Sequence, residues 1–382
     1  MTLKPHQQNA VAQATPILRG KGLVYIFGQP RVGKSLIALE LFRQNKPKEN
    51  GKLVVFTKKN AIADWQKYDY NFEVYNYEKI TKLNPADYNA VIIDEAHNFS
   101  AFPRPSQRIK DFRKFCYKKP IVFLSGTPFV ESPNSAYSQL SLSSYSPFKQ
   151  FANAYAYFAK YGVSDKQWIC GNQIESYKKG NLPECVNDYI VRVTYENAGF
   201  KYQNVDKLHL IDAKETHDFI SKMRKEKLIT QGDLCLPLET PSAELQAAHR
   251  ICGGFYNGIT LPQPKLRYLR KMVSENPNKK TAIMCYFIEE QENLAKEFEN
   301  VFSSTKYCEG IDLSDYDLFI LYSFGYSGAK FIQLRDRIVN LNKDKPTQVH
   351  ILALQGEVDE AVYRCVSQKR NYNLREFKNE LI

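Results

Sequence analysis

The sequence predicts an α/β protein with two parallel-sheet units, and three observations predict it. Apolar runs of strand length lack the in–out alternation of a one-faced strand, as expected for strands covered on both faces. Helical patterns separate these runs, the order that produces crossover helices and a parallel sheet. The pattern occurs twice, once before residue 130 and again from about residue 262. A length of 382 residues suits two domains. With 43% hydrophobic and 25% charged residues, each has apolar material for a core.

In the first block, "GLVYIFG" reads as a strand, "GKSLIALELFRQ" as a helix and "KLVVFT" as a strand. A helix "AIADWQKY", a short strand "FEVYNY" and the strands "AVIIDEAH" and "PIVFLSGTP" follow. From about 131 to 200 Ser, Tyr and Phe dominate, and the segment reads as loop plus aromatic helices, a small helical accessory region on the first unit. Its tyrosines pack that layer; stacking on nucleobases is the sharper alternative. In the second block "PKLRYLRKMVSE" is an amphipathic helix, followed by strand "KKTAIMCYF", helix "EEQENLAKEFEN" and strand "DLFILYS". Helix "AKFIQLRDRIVNL", strand "QVHILAL" and helix "EVDEAVYRCVSQKRN" complete it. The domains are expected at 1–203 and 204–382, with no repeat at solenoid periods.

Eight cysteines show no C-x-x-C spacing, which argues against a zinc site. Several lie in apolar runs, such as Cys285, and read as buried free thiols of a reducing compartment. The start "MTLKPHQQNA" has no apolar h-region, and no apolar stretch is long enough to span a bilayer. The expectation is a cytoplasmic protein without a membrane partner. Lys plus Arg number 53 against 41 acids, a net charge of +12. That excess suits a polyanionic partner or plain solubility, and charge alone does not choose.

"GQPRVGKS" at 28–35 fits G-x-x-x-x-G-K-[ST], with Gly28, Gly33, Lys34 and Ser35 on its fixed positions. Glycines let backbone N–H groups curl around phosphates, and the following helix N-terminus favours anions. Lys34 supplies a point charge to the outer phosphates and Ser35 a hydroxyl for Mg²⁺. The competing reading, a chance turn before Lys-Ser, is disfavoured because a strand precedes the loop and a helix follows. "VIIDEAH" ends a strand with Asp94 and Glu95. At the carboxyl edge of a parallel sheet, Asp94 is placed to hold Mg²⁺ and Glu95 to orient or deprotonate an attacking water. A strand-end acidic cap is the bland alternative.

In this order, "GQPRVGKS", "DEAH" and "SGTP" resemble the first motor domain of superfamily 2 DEAH-box helicases and translocases. "LKPHQQNAV" resembles the adenine-recognising segment, with Gln7 as base contact. "LVVFTKKNAIADWQKY", carrying Trp65, and "YNYEKI" resemble motifs Ia and Ib of the chromatin-remodeller-like (Snf-type) branch. The path after "SGTP" resembles the same branch. "KKTAIMCYF", "EGIDLSDYDLFILYS" and "FIQLRDRI" resemble motifs IV, V and VI, and the closing "QGEVDEAVYRCVSQKR" resembles that branch's final helix. The resemblance implies two tandem RecA-like P-loop domains, ATP with Mg²⁺, and an ATP-dependent DNA helicase or translocase. It implies that Gln333 and Arg337 act on the triphosphate from the second domain. It also implies that Ser125-Gly126-Thr127 couples the nucleotide to the nucleic-acid groove. Lys58, Lys59 and Thr127 are the expected nucleic-acid contacts; ordinary surface charge is the alternative for the two lysines. DNA is preferred to RNA because of the branch alone. The fit is to a compact monomeric motor, of the kind phages and mobile elements encode, working in replication or recombination; a phage-encoded motor acts in host cytoplasm.

Two departures stand out. The family's second motif VI arginine falls on Asn340, with Arg335 as a nearby substitute, and the interval between motifs IV and V is short. They motivate an alternative of another class, a nucleotide-gated DNA-binding or loading module with little turnover. A P-loop kinase or GTPase lacks an acceptor site and a guanine-specificity motif.

Overall fold

A computed structural model describes residues 2–45, 52–129, 132–169, 172–199, 204–231, 234–307, 313, 315–336, 347–368 and 370–379. The chain divides into two compact units, Met1–Phe200 and Lys201–Ile382. Both are α/β units whose main sheets are wholly parallel.

The first unit opens with α1 (Pro5–Lys21), β1 (Leu23–Gly28), α2 (Lys34–Gln44) and β2 (Lys52–Thr57). Next come α3 (Ile62–Trp65), β3 (Glu73–Asn76), β4 (Tyr88–Ile93), α4 (Gln107–Phe115) and β5 (Ile121–Ser125). Pro5 starts α1 where no N–H is needed, and Gly22, at φ +66°, ends it. The sheet order is β3-β2-β4-β5-β1-β8, the last strand being β8 (Ile190–Val193). Strands β4, β5 and β1 are adjacent, with Phe27 opposite Ser125 and Ile93 opposite Phe123. This register brings the residues after all three strands to one carboxyl edge. Val24, Ile26, Val91, Ile92 and Val122 are fully buried, which explains the missing alternation. Each such side chain contributes about 1.5–3 kcal/mol.

The accessory region contains α5 (Ser135–Leu140) and α6 (Ala154–Tyr161), as expected, and also an antiparallel hairpin, β6 (Asp165–Ile169) and β7 (Asn172–Ser176). Tyr157 is fully buried, with Tyr137, Phe148, Phe151 and Tyr161 at ring distances of 5.0–5.6 Å. These aromatics pack the layer. "AIADWQKY" is helical only over α3, and the hairpin and β8 carried no recognised sequence signal.

The second unit begins earlier than its periodic pattern, with β9 (Val205–Ile211), α7 (Lys214–Glu226), the hairpin β10 (Leu228–Gln231) and β11 (Leu234–Pro237), and α8 (Pro241–Gly253). It continues through α9 (Pro264–Ser274), β12 (Thr281–Cys285), α10 (Ile288–Leu294), β13 (Val301–Ser303) and α11 (Ser304–Tyr307). It closes with β14 (Leu318–Leu321), α12 (Gly328–Arg335), β15 (Gln348–Leu354), α13 (Val358–Val366) and α14 (Leu374–Asn379). The sheet order is β13-β12-β14-β15-β9. Cys116, Cys252, Cys285 and Cys365 are buried, while Cys185 and Cys235 are exposed. No described helix is long and apolar enough to cross a membrane.

A polar cluster lies inside the second core. Lys265 Nζ donates to Asp359 Oδ2 at 2.8 Å with both side chains at most 1% exposed. Glu290 is fully buried beside them, and Ser323 Oγ donates to it. Burial pushes the Glu290 carboxyl up to about 7, against the pull of Lys265 and the Ser323 bond. A carboxyl raised on folding stabilises fully below its unfolded value of about 4.5, and that contribution is lost as pH rises through 7. Wild type should therefore lose stability relative to Glu290→Gln between pH 5 and 8, at up to about 1.4 kcal/mol per pH unit. Urea unfolding of both proteins across that range measures it; parallel curves would refute the assignment.

Candidate nucleotide site at the carboxyl edge of the first sheet

The loop between β1 and α2 is shaped by its glycines. Gly33 has φ +83°, and a Cβ there would sit 2.1 Å from Gln7 Nε2. A Cβ on Gly28 would meet the Lys34 side chain at 2.7 Å. Lys34 lies across the loop, its Nζ donating to Gly28 O at 2.8 Å and Gln29 O at 3.3 Å. Gln29 extends the anchorage, with its N bonded to Val193 O at 3.0 Å and its side chain accepting from Tyr195 N. Gln7 is buried on α1 and supports the loop from behind. Its Nε2 donates to Val32 O at 3.4 Å and its Oε1 accepts from Lys4 N at 2.9 Å.

Asp94 and Glu95 leave the end of β4 beside this loop. Asp94 Oδ2 accepts from Thr57 Oγ1 and Trp65 Nε1, both at 2.9 Å, and Oδ1 accepts from Glu95 N at 3.0 Å. Burial and the neighbouring Glu95 raise the Asp94 carboxyl above the usual range. Burial would raise Glu95 too, but His97, Lys34 and Lys58 overcome it and hold Glu95 low. Glu95 has φ +46° and ψ +50°, a left-handed conformation that costs a non-glycine residue about 1–2 kcal/mol. Its Oε2 is buried and lies 3.2 Å from His97 Nδ1, with no hydrogen bond to it among the described residues. The same His97 nitrogen lies 3.0 Å from Ser125 Oγ, which accepts from Thr127 N at 3.0 Å. An ideal Cβ on Gly126 would lie 3.6 Å from Gly28 O, so this turn adjoins the phosphate loop.

Ser35, in the first turn of α2, and Asp94 supply hydroxyl and carboxylate oxygens, the hard donors that suit Mg²⁺. Burial and the charge of Glu95 both disfavour an ionised Asp94, and a divalent cation would offset both, so these residues fit one. When bound, that cation supplies charge neutralisation for phosphate oxygens.

An open cavity of about 700 Å³ lies in the same unit, lined by Leu3, Gln8, Glu40, Arg43, Asp69 and Tyr70 among others. Arg43 grips Glu40 through two bonds of 2.7 and 2.6 Å and holds its carboxyl at about 2.

The structure thus gathers Gly28, Gly33, Lys34, Ser35, Asp94, Glu95 and Thr127 around one sheet edge. Lys58 is near enough to Glu95 to lower its pKa, and Lys59 is exposed in the next turn. In the second unit Gln333, Leu334 and Asp336 are buried at the end of α12 and just after it. Arg335 is engaged, its Nη1 3.3 Å from Asp206 Oδ2 and its Nε 3.6 Å from Asp336 Oδ1. Arg337, Asn340 and most of "EGIDLS" lie outside the described residues. Sequence reasoning noted Trp65 but missed it, with Thr57, as a donor to Asp94. It also missed the His97–Ser125 link. Nothing in their spacing announces these partners, because each joins separate strands.

No protein-family model matches the chain, and no curated protein matches it. Among solved structures it is similar to a Sulfolobus solfataricus SWI2/SNF2 ATPase core in complex with dsDNA. That match has 13% identity and a TM-score of 0.45, covering 97% of this chain and 91% of that one. A Sulfolobus solfataricus SWI2/SNF2 ATPase core domain is similar at 12% identity and a TM-score of 0.44, covering 97% and 89%.

Proposed function

We propose that the chain is a nucleic-acid-stimulated ATPase that translocates on DNA. One observation carries the reading: a phosphate loop, an acid pair and a Ser-Gly-Thr turn share one sheet edge and are linked through His97 and Ser125. Lys34 and the loop N–H groups hold the triphosphate. Ser35 and Asp94 hold Mg²⁺, and Glu95, kept ionised by His97, Lys34 and Lys58, orients or deprotonates water. The 700 Å³ cavity, flanked by α1 and α2, takes the nucleoside end, with Gln7 steadying the loop behind it. Gln333 and Arg337 are assigned to the triphosphate on the strength of the motif VI resemblance. Lys58, Lys59 and Thr127 are assigned to the nucleic-acid backbone, whose contacts are independent of sequence and sensitive to salt.

Turnover is expected to rise at least about tenfold with DNA, and Lys34→Ala to abolish the stimulated rate. Comparing single-stranded DNA, duplex, forked DNA and RNA at fixed salt measures this. A rate indifferent to every nucleic acid sinks the motor reading. The nucleotide-gated binding module is favoured by a specific observation: Arg335, the candidate substitute at motif VI, is already held by Asp206 and Asp336. It predicts ATP-dependent DNA binding with turnover near background.

A further inference from the structure

We propose that the connection from Thr57 to Tyr70 transmits the state of the nucleotide site to nucleic acid, with Thr57 and Trp65 as its positioning residues; this rests on the motor reading. Both residues donate to a single atom, Asp94 Oδ2, at 2.9 Å. Thr57 is 0% and Trp65 2% exposed, so neither donor has water as an alternative partner. Between them lie Lys58 and the 3₁₀ turn Lys59–Ala61, the segment assigned to the nucleic-acid backbone. Its two ends are thus clipped to one carboxylate oxygen.

The same connection reaches the site at two further points. The Tyr68 hydroxyl lies beside the Ser35 side chain, and Tyr70 OH donates to Glu40 Oε2 on α2 at 3.1 Å. Tyr68 also sits edge-on to Trp65 at 6.1 Å, and its N–H bonds Trp65 O at 3.1 Å. Of the two side chains assigned to the cation, Asp94 is thus hydrogen-bonded twice by this connection, and Ser35 adjoins it. A hydrogen bond to a carboxylate depends on the charge it retains. Drawing charge from Asp94 weakens both clips at once. The connection has to resettle, and the lysines move with it. This is a differential contact of the kind that couples two sites.

The test uses the full chain. In Trp168→Phe, Trp65 is the sole tryptophan. Its emission should shift when Mg²⁺ and a non-hydrolysable ATP analogue are added together, and not when Lys34→Ala is also present. In parallel, affinity for a labelled DNA oligonucleotide is measured with and without saturating analogue. Wild type should show a ratio of about tenfold, within the usual range of coupling. Thr57→Val and Trp65→Phe should bring the ratio near one, and Thr57→Ser, which keeps the hydroxyl, should restore it. If Trp65→Phe does not fold, the Thr57 pair decides. Variants that keep the wild-type ratio, or emission that stays fixed while nucleotide binds, overturn the inference alone. A wild type that binds neither analogue nor DNA overturns the motor reading, and the inference falls with it.

Discussion

Glu95→Gln should lower ATP turnover by about a thousandfold, within the range expected for loss of a general base. Glu95 is ionised at neutral pH because His97, Lys34 and Lys58 outweigh its burial. Its Oε2 lies 3.2 Å from His97 Nδ1. Glutamine keeps the shape and removes the charge. The bond that fixes Asp94 comes from the backbone N–H of residue 95 and survives the substitution. The loss should therefore fall on kcat, with nucleotide still bound. Steady-state turnover and calorimetric nucleotide titration together check this. Turnover within tenfold of wild type would remove Glu95 from the chemistry and leave its left-handed backbone without a functional reason.

Lys265→Met should destabilise the second unit by about 3–5 kcal/mol, the cost of leaving a buried charge unpaired. Asp359 cannot relax toward solvent. It is 0% exposed, and its Oδ1 also accepts from Leu354 N and Glu360 N at 3.0 Å, tying the end of β15 to the start of α13. The lysine is further enclosed by the Tyr322 ring at 5.1 Å. Lys265→Met combined with Asp359→Asn should recover much of the loss, because asparagine keeps an acceptor for those N–H groups and removes the charge. Urea unfolding of the single and double variants measures both effects. A single variant within 1 kcal/mol of wild type would show that the pair is better solvated than its burial implies.

The glycine-rich turn and the acid pair stand out in the sequence because each is local. Gly28 to Ser35 is one strand–turn–helix passage, and Asp94 with Glu95 ends one strand. Their chemistry follows from consecutive residues and the period of the flanking pattern. Edge elements were not legible. Strand β8 is four residues long with one exposed position, and β9 is half exposed, so neither forms a continuous apolar run. The first strand of the second sheet was therefore missed, although it pairs with β15 over seven positions.

By itself the sequence determined the α/β class and the two sheet-forming blocks, and it singled out the glycine-rich turn and the acid pair as candidates, since these depend on short-range spacing and hydrophobic period. Only the tertiary structure decided that β5 lies between β4 and β1, setting the Ser125–Thr127 turn beside both nucleotide motifs. It also decided that Thr57 and Trp65 share one oxygen of Asp94, that Lys265 finds Asp359, and that Arg335 is already engaged. The reason is common to all of them: a hydrogen bond or ion pair between distant segments depends on strand order and burial, which no single stretch of sequence encodes.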